Sequence, residues 1–216
     1  MPGGFETAVK VPGVSLFPWV CALFGVGGGV LWALSPLGVR LSEYAFRAPA
    51  LFWKLFPAAP ALMLFGLLGL YLFFRGRGGG PAATVGFYIA ALGVVLAVAG
   101  NLGLYHLGLD DIFIMSAPAY RTFRLGLFVF AAGTLLFAFL LAGSRAVPLA
   151  GSLPLVLGAF AGAVAVFRDF GEAGAAMWVA FGVGFAWCSS VVVFVGVARY
   201  LRNRRAGRVG ERSPVF

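Results

Sequence analysis

The sequence predicts an all-α protein, a polytopic transmembrane helix bundle with about six spans, and three observations support this. First, 62% of the 216 residues are apolar and 11% are charged, whereas soluble domains are close to half apolar and a quarter charged. Second, six uncharged runs reach 20 residues or more, and about 20 apolar residues carry a helix across the hydrocarbon of a bilayer. Third, these runs do not alternate between apolar and polar residues as barrel strands do. Since only helices and closed barrels satisfy the backbone in lipid, helices are expected.

The first three spans follow from the first three runs. Span one begins near Val14, and its uncharged run of 29 residues exceeds the roughly 7–15-residue apolar core of a signal peptide. A connection at 36–57 carries charges, and its aromatic part, AFRAPALFW, is expected to lie along the interface. The turn RGRGGGP at 75–81 then separates spans two and three, because a glycine run does not sustain a helix.

The last three spans are separated by GSRAVP at 143–148 and by RDFGEAG at 168–174. Both segments combine charge with Gly or Pro, which is typical of turns. We expect one transmembrane domain at 1–198 and a basic cytoplasmic tail at 199–216. The predicted spans are about 14–35, 58–74, 83–105, 124–142, 149–167 and 175–197.

Positive charge predicts the threading, because cytoplasmic loops carry an excess of Lys and Arg. With six spans, one side of the membrane holds ten of the sixteen, namely Lys10, Arg75, Arg77, Arg145 and the six arginines from Arg199 to Arg212. The other side holds Arg40, Arg47, Lys54, Arg121, Arg124 and Arg168. The chain is therefore expected to be a multi-pass cell-membrane protein with both termini in the cytoplasm. Four tryptophans are expected in the headgroup layer, since they lie near predicted span ends: Trp19, Trp32, Trp53 and Trp178.

The tail has a second interpretation besides topology. Clustered arginines immediately beyond a span are the pattern that binds anionic lipid headgroups. Nucleic acid is not expected as a partner, because the arginines lie at a membrane face without a recognition module. The candidate lipid-binding residues are Arg199, Arg202, Arg204, Arg205 and Arg208.

Small residues suggest close helix contacts. Gly25 and Gly29, like Gly158 and Gly162, have the GxxxG spacing that lets two helices approach closely. We expect these pairs to pack within the chain, with a homodimer face as the alternative. Cys21 and Cys188 lie inside predicted spans without a CxxC motif and are expected to pack as small apolar residues.

One stretch, 101–124, holds the only His of the chain. Asn101 and Tyr105 are four residues apart and so share a helix face, and the same spacing relates His106 to Asp110. The candidate polar site comprises Asn101, Tyr105, His106, Asp110, Asp111, Arg121, Arg124, Asp169 and Glu172, with Glu43 as a further acid. These groups form either an acid/base or metal site at the outer face or a set of loop charges in ordinary ion pairs. We favour the ion pairs, and no catalytic residue, metal or cofactor is assigned.

Three functions remain open. We favour a non-enzymatic membrane component that interacts with lipid, with a protein partner or with a second copy. The first alternative is a small-solute transporter or channel with an outer vestibule near Asn101–Asp111. The second is an outer-face enzyme that uses His106 with nearby carboxylates. A single His already argues against bis-histidine haem and multi-histidine membrane hydrolases.

Overall fold

The computed structural model describes residues 16–44, 50–107, 118–144, 146–168 and 172–210, and the regular elements in these ranges are all helices. This confirms the all-α prediction. In chain order the helices are α1 (Phe17–Tyr44), α2 (Ala50–Leu55), α3 (Ala58–Arg75), α4 (Pro81–Tyr105), α5 (Pro118–Gly143), α6 (Leu149–Ala165) and α7 (Glu172–Gly210).

Five of these helices are long and apolar enough to cross a membrane: α1, α3, α4, α5 and α7. The helix α6 is equally apolar but has 17 residues, which at about 1.5 Å per residue gives about 25 Å. The length and composition of the helices therefore indicate a multi-pass membrane protein.

Two helices extend beyond the predicted ends of their spans, at points where a charged residue had set the predicted end. The helix α1 continues through Pro36 and past Arg40 to Tyr44, and α7 continues past Arg199 to Gly210. The connection expected at 36–57 is therefore partly helical. The reason is that a charge ends the part of a helix that tolerates lipid, whereas the backbone hydrogen bonds of the helix continue in water.

The five long helices and α6 form a closed ring in chain order. The helix α1 packs against α3 and α7, α7 packs against α6, α6 against α5, α5 against α4, and α4 against α3. The short helix α2 contacts α1 and α4. Apart from α2, each helix thus lies next to the long helices that precede and follow it in the sequence.

The most extensive interface is the antiparallel pair α4–α5, and small residues create it. Alanine and glycine recur on α4 at 86, 90, 93, 97 and 100, in steps of four and three. The glycines of α4 lie against the backbone of phenylalanines of α5, Gly93 against Phe130 and Gly100 against Phe123. The glycines of α5 lie in turn against alanines of α4, Gly126 against Ala97. Backbones therefore approach closely along the whole seam, as small residues permit in membrane helices.

This close approach sends three phenylalanines of α5 into the centre of the ring. Phe123 meets Phe56 with 5.8 Å between ring centroids, and Phe137 meets Phe74 at 6.0 Å. Between them Phe130 lies 5.7 Å from Trp32 and 5.4 Å from Phe181. Three of these contacts are edge-to-face, a favourable ring geometry, and the contact of Phe130 with Trp32 is tilted. The centre is thus filled by aromatic side chains in three layers.

The second set of close contacts holds α1 between α3 and α7. A methyl group at Gly28 would come within 2.6 Å of the Met63 backbone nitrogen, and one at Gly29 within 2.6 Å of the Gly182 carbonyl oxygen. Gly25 likewise lies against Gly66. The four glycines of the predicted GxxxG pairs all pack inside the chain, since Gly158 meets Ala180 and Gly162 meets Phe181. The prediction of intramolecular packing is confirmed.

Two tryptophans lie elsewhere than predicted. Trp32 is fully buried at the centre of the aromatic layers, and Trp178 is 4% exposed. The ring centroids of these two tryptophans lie 5.4 Å apart. Both were expected to reach the headgroup layer, but their rings face the interior of the bundle instead, because they pack against each other and against Phe181. Trp19 does lie at a helix end, half-buried against Gly196 of α7. The side chain of Trp53 is outside the described part of the chain.

Candidate functional site

The end of α4 separates the polar residues that the sequence grouped together. The Asn101 side chain is fully buried and Tyr105 is half-buried. His106 caps the helix through its backbone N–H, which donates to the Leu102 carbonyl at 3.1 Å, and its side chain is exposed. Asn101 and Tyr105 therefore share one face, as their spacing predicts, and this face is turned toward the protein, whereas His106 faces outward.

The two arginines at the start of α5 also separate. Arg121 is exposed, whereas Arg124 is half-buried and donates a hydrogen bond to the carbonyl of Val166, the C-cap residue of α6. The guanidinium carbon of Arg124 also lies 5.8 Å from the centre of the Tyr120 ring. A cation at a helix C-terminus meets the negative end of the helix dipole. Arg124 therefore ties the start of α5 to the end of α6.

The acidic members of the candidate polar site lie largely outside the described residues. These are Asp110, Asp111 and Asp169, and the side chains of Glu43 and Glu172 are outside as well. In the ranges that the structure does describe, no group of three or more His, Cys, Asp or Glu could hold a metal ion. The pairing of these acids with Arg121 or Arg124 stays a prediction.

The opposite end of the bundle brings basic residues to one level, and the close contacts define that level. Trp19 of α1 lies against Gly196 of α7. A methyl group added at Gly69 of α3 would lie 2.5 Å from the Pro18 carbonyl oxygen. Continued along the helices, this register places Arg75, the last residue of α3, level with the start of the basic extension at Arg199. The first residues of α1 and the arginine-rich part of α7 therefore share one end of the bundle.

A third arginine at this end closes the bundle. Arg77 donates a hydrogen bond to the Ala146 carbonyl at 2.5 Å, and its guanidinium carbon lies 3.7 Å from the centre of the Phe73 ring. It joins the α3–α4 turn to the α5–α6 turn. Sequence reasoning treated Arg77 only as a topological charge, and a lone Arg in a glycine-rich turn carries no signal for this role.

The basic extension is the part of α7 beyond its apolar span. The apolar span is Ala173–Ala198, and the helix continues without interruption to Gly210. These last twelve residues carry five arginines and no acid: Arg199, Arg202, Arg204, Arg205 and Arg208. Arg75 and Arg202 are both exposed. Such a surface attracts anions, and its field extends about 8 Å at physiological ionic strength.

Polar groups inside the bundle are few. The buried polar residues of the described chain are Ser35, Asn101, Thr134, Ser152 and Ser189. Ser35 donates to the carbonyl of Leu31 at 2.8 Å, which is how hydroxyls usually fit into a helix. The Nε1 of Trp32 is buried among aromatic rings and has no hydrogen-bond partner in the described residues. Cys21 and Cys188 are buried free thiols and so occupy packing positions, as predicted.

Comparisons with known proteins give no relative: no family model, no curated protein and no solved structure matches the chain.

Proposed function

We propose that this protein is a non-enzymatic integral membrane component that acts by binding anionic lipid headgroups at the end of the bundle where α7 emerges. The observation that carries the proposal is the continuous helix α7. It runs from the apolar bundle into an extension with five arginines and no acid. A basic segment directly beside a span attracts anionic lipid by about 1 kcal/mol for each Lys or Arg near the surface.

The packed centre supports a binding role over the carriage of a solute. Phe130, Trp32 and Phe181 meet at the middle of the ring with centroid distances of 5.3 to 5.7 Å. A solute pathway through the ring of helices would have to displace these aromatic side chains. Their burial against one another stabilises the fold. The vestibule alternative also loses support because Asn101 is fully buried.

The orientation belongs to the same proposal. Excess positive charge marks the cytoplasmic side, and the extension shares its end of the bundle with Arg75 and Arg77. We therefore place both termini in the cytoplasm, where anionic lipid headgroups would meet the extension.

The test is the preference of the full-length protein for an anionic lipid. Purified protein is reconstituted in phosphatidylcholine, and the association of spin-labelled phosphatidylglycerol is compared with that of spin-labelled phosphatidylcholine. Replacing the five arginines of the extension by Gln should sharply reduce the preference for phosphatidylglycerol. Replacing Lys54 and Arg121 by Gln, at other exposed positions, is the control and should leave the preference intact. An unchanged preference in the variant with five substitutions would show the proposal to be wrong.

A further inference from the structure

We infer that anionic lipid is bound by a proximal tier of arginines, Arg75, Arg199 and Arg202, and not by a distal tier, Arg204, Arg205 and Arg208. This inference rests on the proposed function and divides its site in two. The sequence alone treats the arginines of the tail as equivalent, because it does not say how far each one stands from the membrane.

The distance follows from the uninterrupted continuation of α7 to Gly210. An α-helix rises about 1.5 Å per residue, and the apolar span ends at Ala198. Along the helix axis, Arg199 and Arg202 therefore stand about 1.5 and 6 Å beyond the span, whereas Arg205 and Arg208 stand about 10 and 15 Å beyond it.

The headgroup layer is thinner than this extension. A bilayer measures about 40–45 Å with its headgroups and about 30 Å without them, which leaves roughly 5–8 Å of headgroup on each side. The proximal arginines of α7 stand within that layer. Arg208 stands at about twice its depth, where the attraction to the surface is reduced by salt over a Debye length of about 8 Å.

The third member of the proximal tier comes from another helix. Arg75 ends α3 and is exposed, and the contacts of α1 with α3 and with α7 bring it level with Ala198 and Arg199. Because it lies at headgroup height without belonging to the tail, it offers an independent test. Arg77, by contrast, already donates to the Ala146 carbonyl and stacks on Phe73, so we leave it out of the tier.

Two matched double variants separate the tiers. Arg199→Gln with Arg202→Gln and Arg205→Gln with Arg208→Gln remove the same charge at the same spacing of three residues. In the spin-label assay with phosphatidylglycerol, the proximal pair should reduce the relative association at least fivefold, whereas the distal pair should change it less than twofold. The single variant Arg75→Gln should reduce it by about fivefold. Equal losses from the two pairs would overturn the inference.

A depth measurement tests the geometry without any loss of charge. Nitroxide labels on Ala198→Cys and Ala206→Cys report access to oxygen in lipid and to a nickel chelate in water. The native thiols of Cys21 and Cys188 are buried and should give no background. We expect the nickel chelate to reach the label at position 206 and hardly to reach the label at position 198. If oxygen reached both labels equally, the extension would lie on the membrane and the inference would be wrong. If the two double variants reduce the association of phosphatidylglycerol equally, and the variant with five substitutions loses its preference, the proposed function stands and only the division into tiers is wrong.

Discussion

At the residue scale, Arg124 illustrates how a charged side chain is used at the edge of an apolar bundle. Its guanidinium donates to the carbonyl of Val166, the C-cap residue of α6, and the residue is half-buried. The last carbonyls of a helix lack partners within that helix, and in or near lipid an unsatisfied carbonyl is costly. Arg121, one turn earlier, is exposed. The two arginines therefore have different roles, although they are three residues apart, a spacing that puts two residues on one helix face.

Arg124→Gln should destabilise the protein by about 1–2 kcal/mol, because the Val166 carbonyl loses a charged donor and the α6 dipole loses a cation. Arg121→Gln is the matched control and should change stability by less than about 0.5 kcal/mol, as exposed substitutions usually do. Thermal unfolding in detergent, followed by near-UV circular dichroism, measures both. Equal effects of the two substitutions would mean that the Arg124 contact contributes no stability.

At the element scale, the seam between α4 and α5 depends on glycines that contact backbone. Gly93 lies against the backbone nitrogen and Cα of Phe130, so an added methyl group has no flexible side chain to displace. In contrast, a methyl group at Gly27 of α1 would have nothing within 4 Å. These two glycines separate the effect of contact from the effect of helix propensity.

Gly93→Ala should destabilise the protein by about 1–3 kcal/mol, since overpacking a tight contact costs that much. Gly27→Ala should instead be neutral or stabilise by up to about 1 kcal/mol, because alanine favours the helix more than glycine does. The thermal midpoint in detergent of each variant checks both signs. If Gly93→Ala were as stable as the parent protein, the helices would not be as close as the structure has them.

At the scale of the whole molecule, the ring places the start of α1 and the end of the apolar span of α7 at one end of the bundle. Trp19 near the start of α1 contacts Gly196 near the end of the α7 span. The turn after α3 and the turn after α5 lie at this end as well, joined by Arg77 and Ala146. The end of α4 and the start of α5 lie at the opposite end, as the antiparallel pairing of α4 and α5 requires.

Labelling with a membrane-impermeant maleimide should report this arrangement. In intact cells, Leu107→Cys should react, whereas Arg202→Cys should react only after the membrane is permeabilised, because the basic end is expected inside. Leu107 is 68% exposed and Arg202 is exposed. The parent protein, whose two thiols are buried, gives the baseline. Labelling of position 202 in intact cells would reverse the proposed orientation.

The candidate site shows where sequence reasoning ends. The spacing of Asn101 and Tyr105 was enough to place them on one helix face, and the structure shows that this face is turned inward. No pattern in the sequence says that Arg124 turns toward α6, that Arg77 reaches Ala146, or that Trp32 lies at the centre, because each depends on a helix distant in the chain. The acids of the candidate polar site, such as Asp110 and Asp169, lie outside the described residues, so their part of the prediction stays open.

The sequence by itself determined the solvent of the protein and the class of its fold, because 62% apolar residues and six long uncharged runs leave helices in lipid as the way to satisfy the backbone. Only the tertiary structure decided how close the helices approach and what fills the space between them. Gly93 and Phe130 are 37 positions apart in the chain, yet their contact sends the Phe130 ring to Trp32 and Phe181 at the centre. Composition and spacing act locally along one helix, whereas the register between helices results from packing.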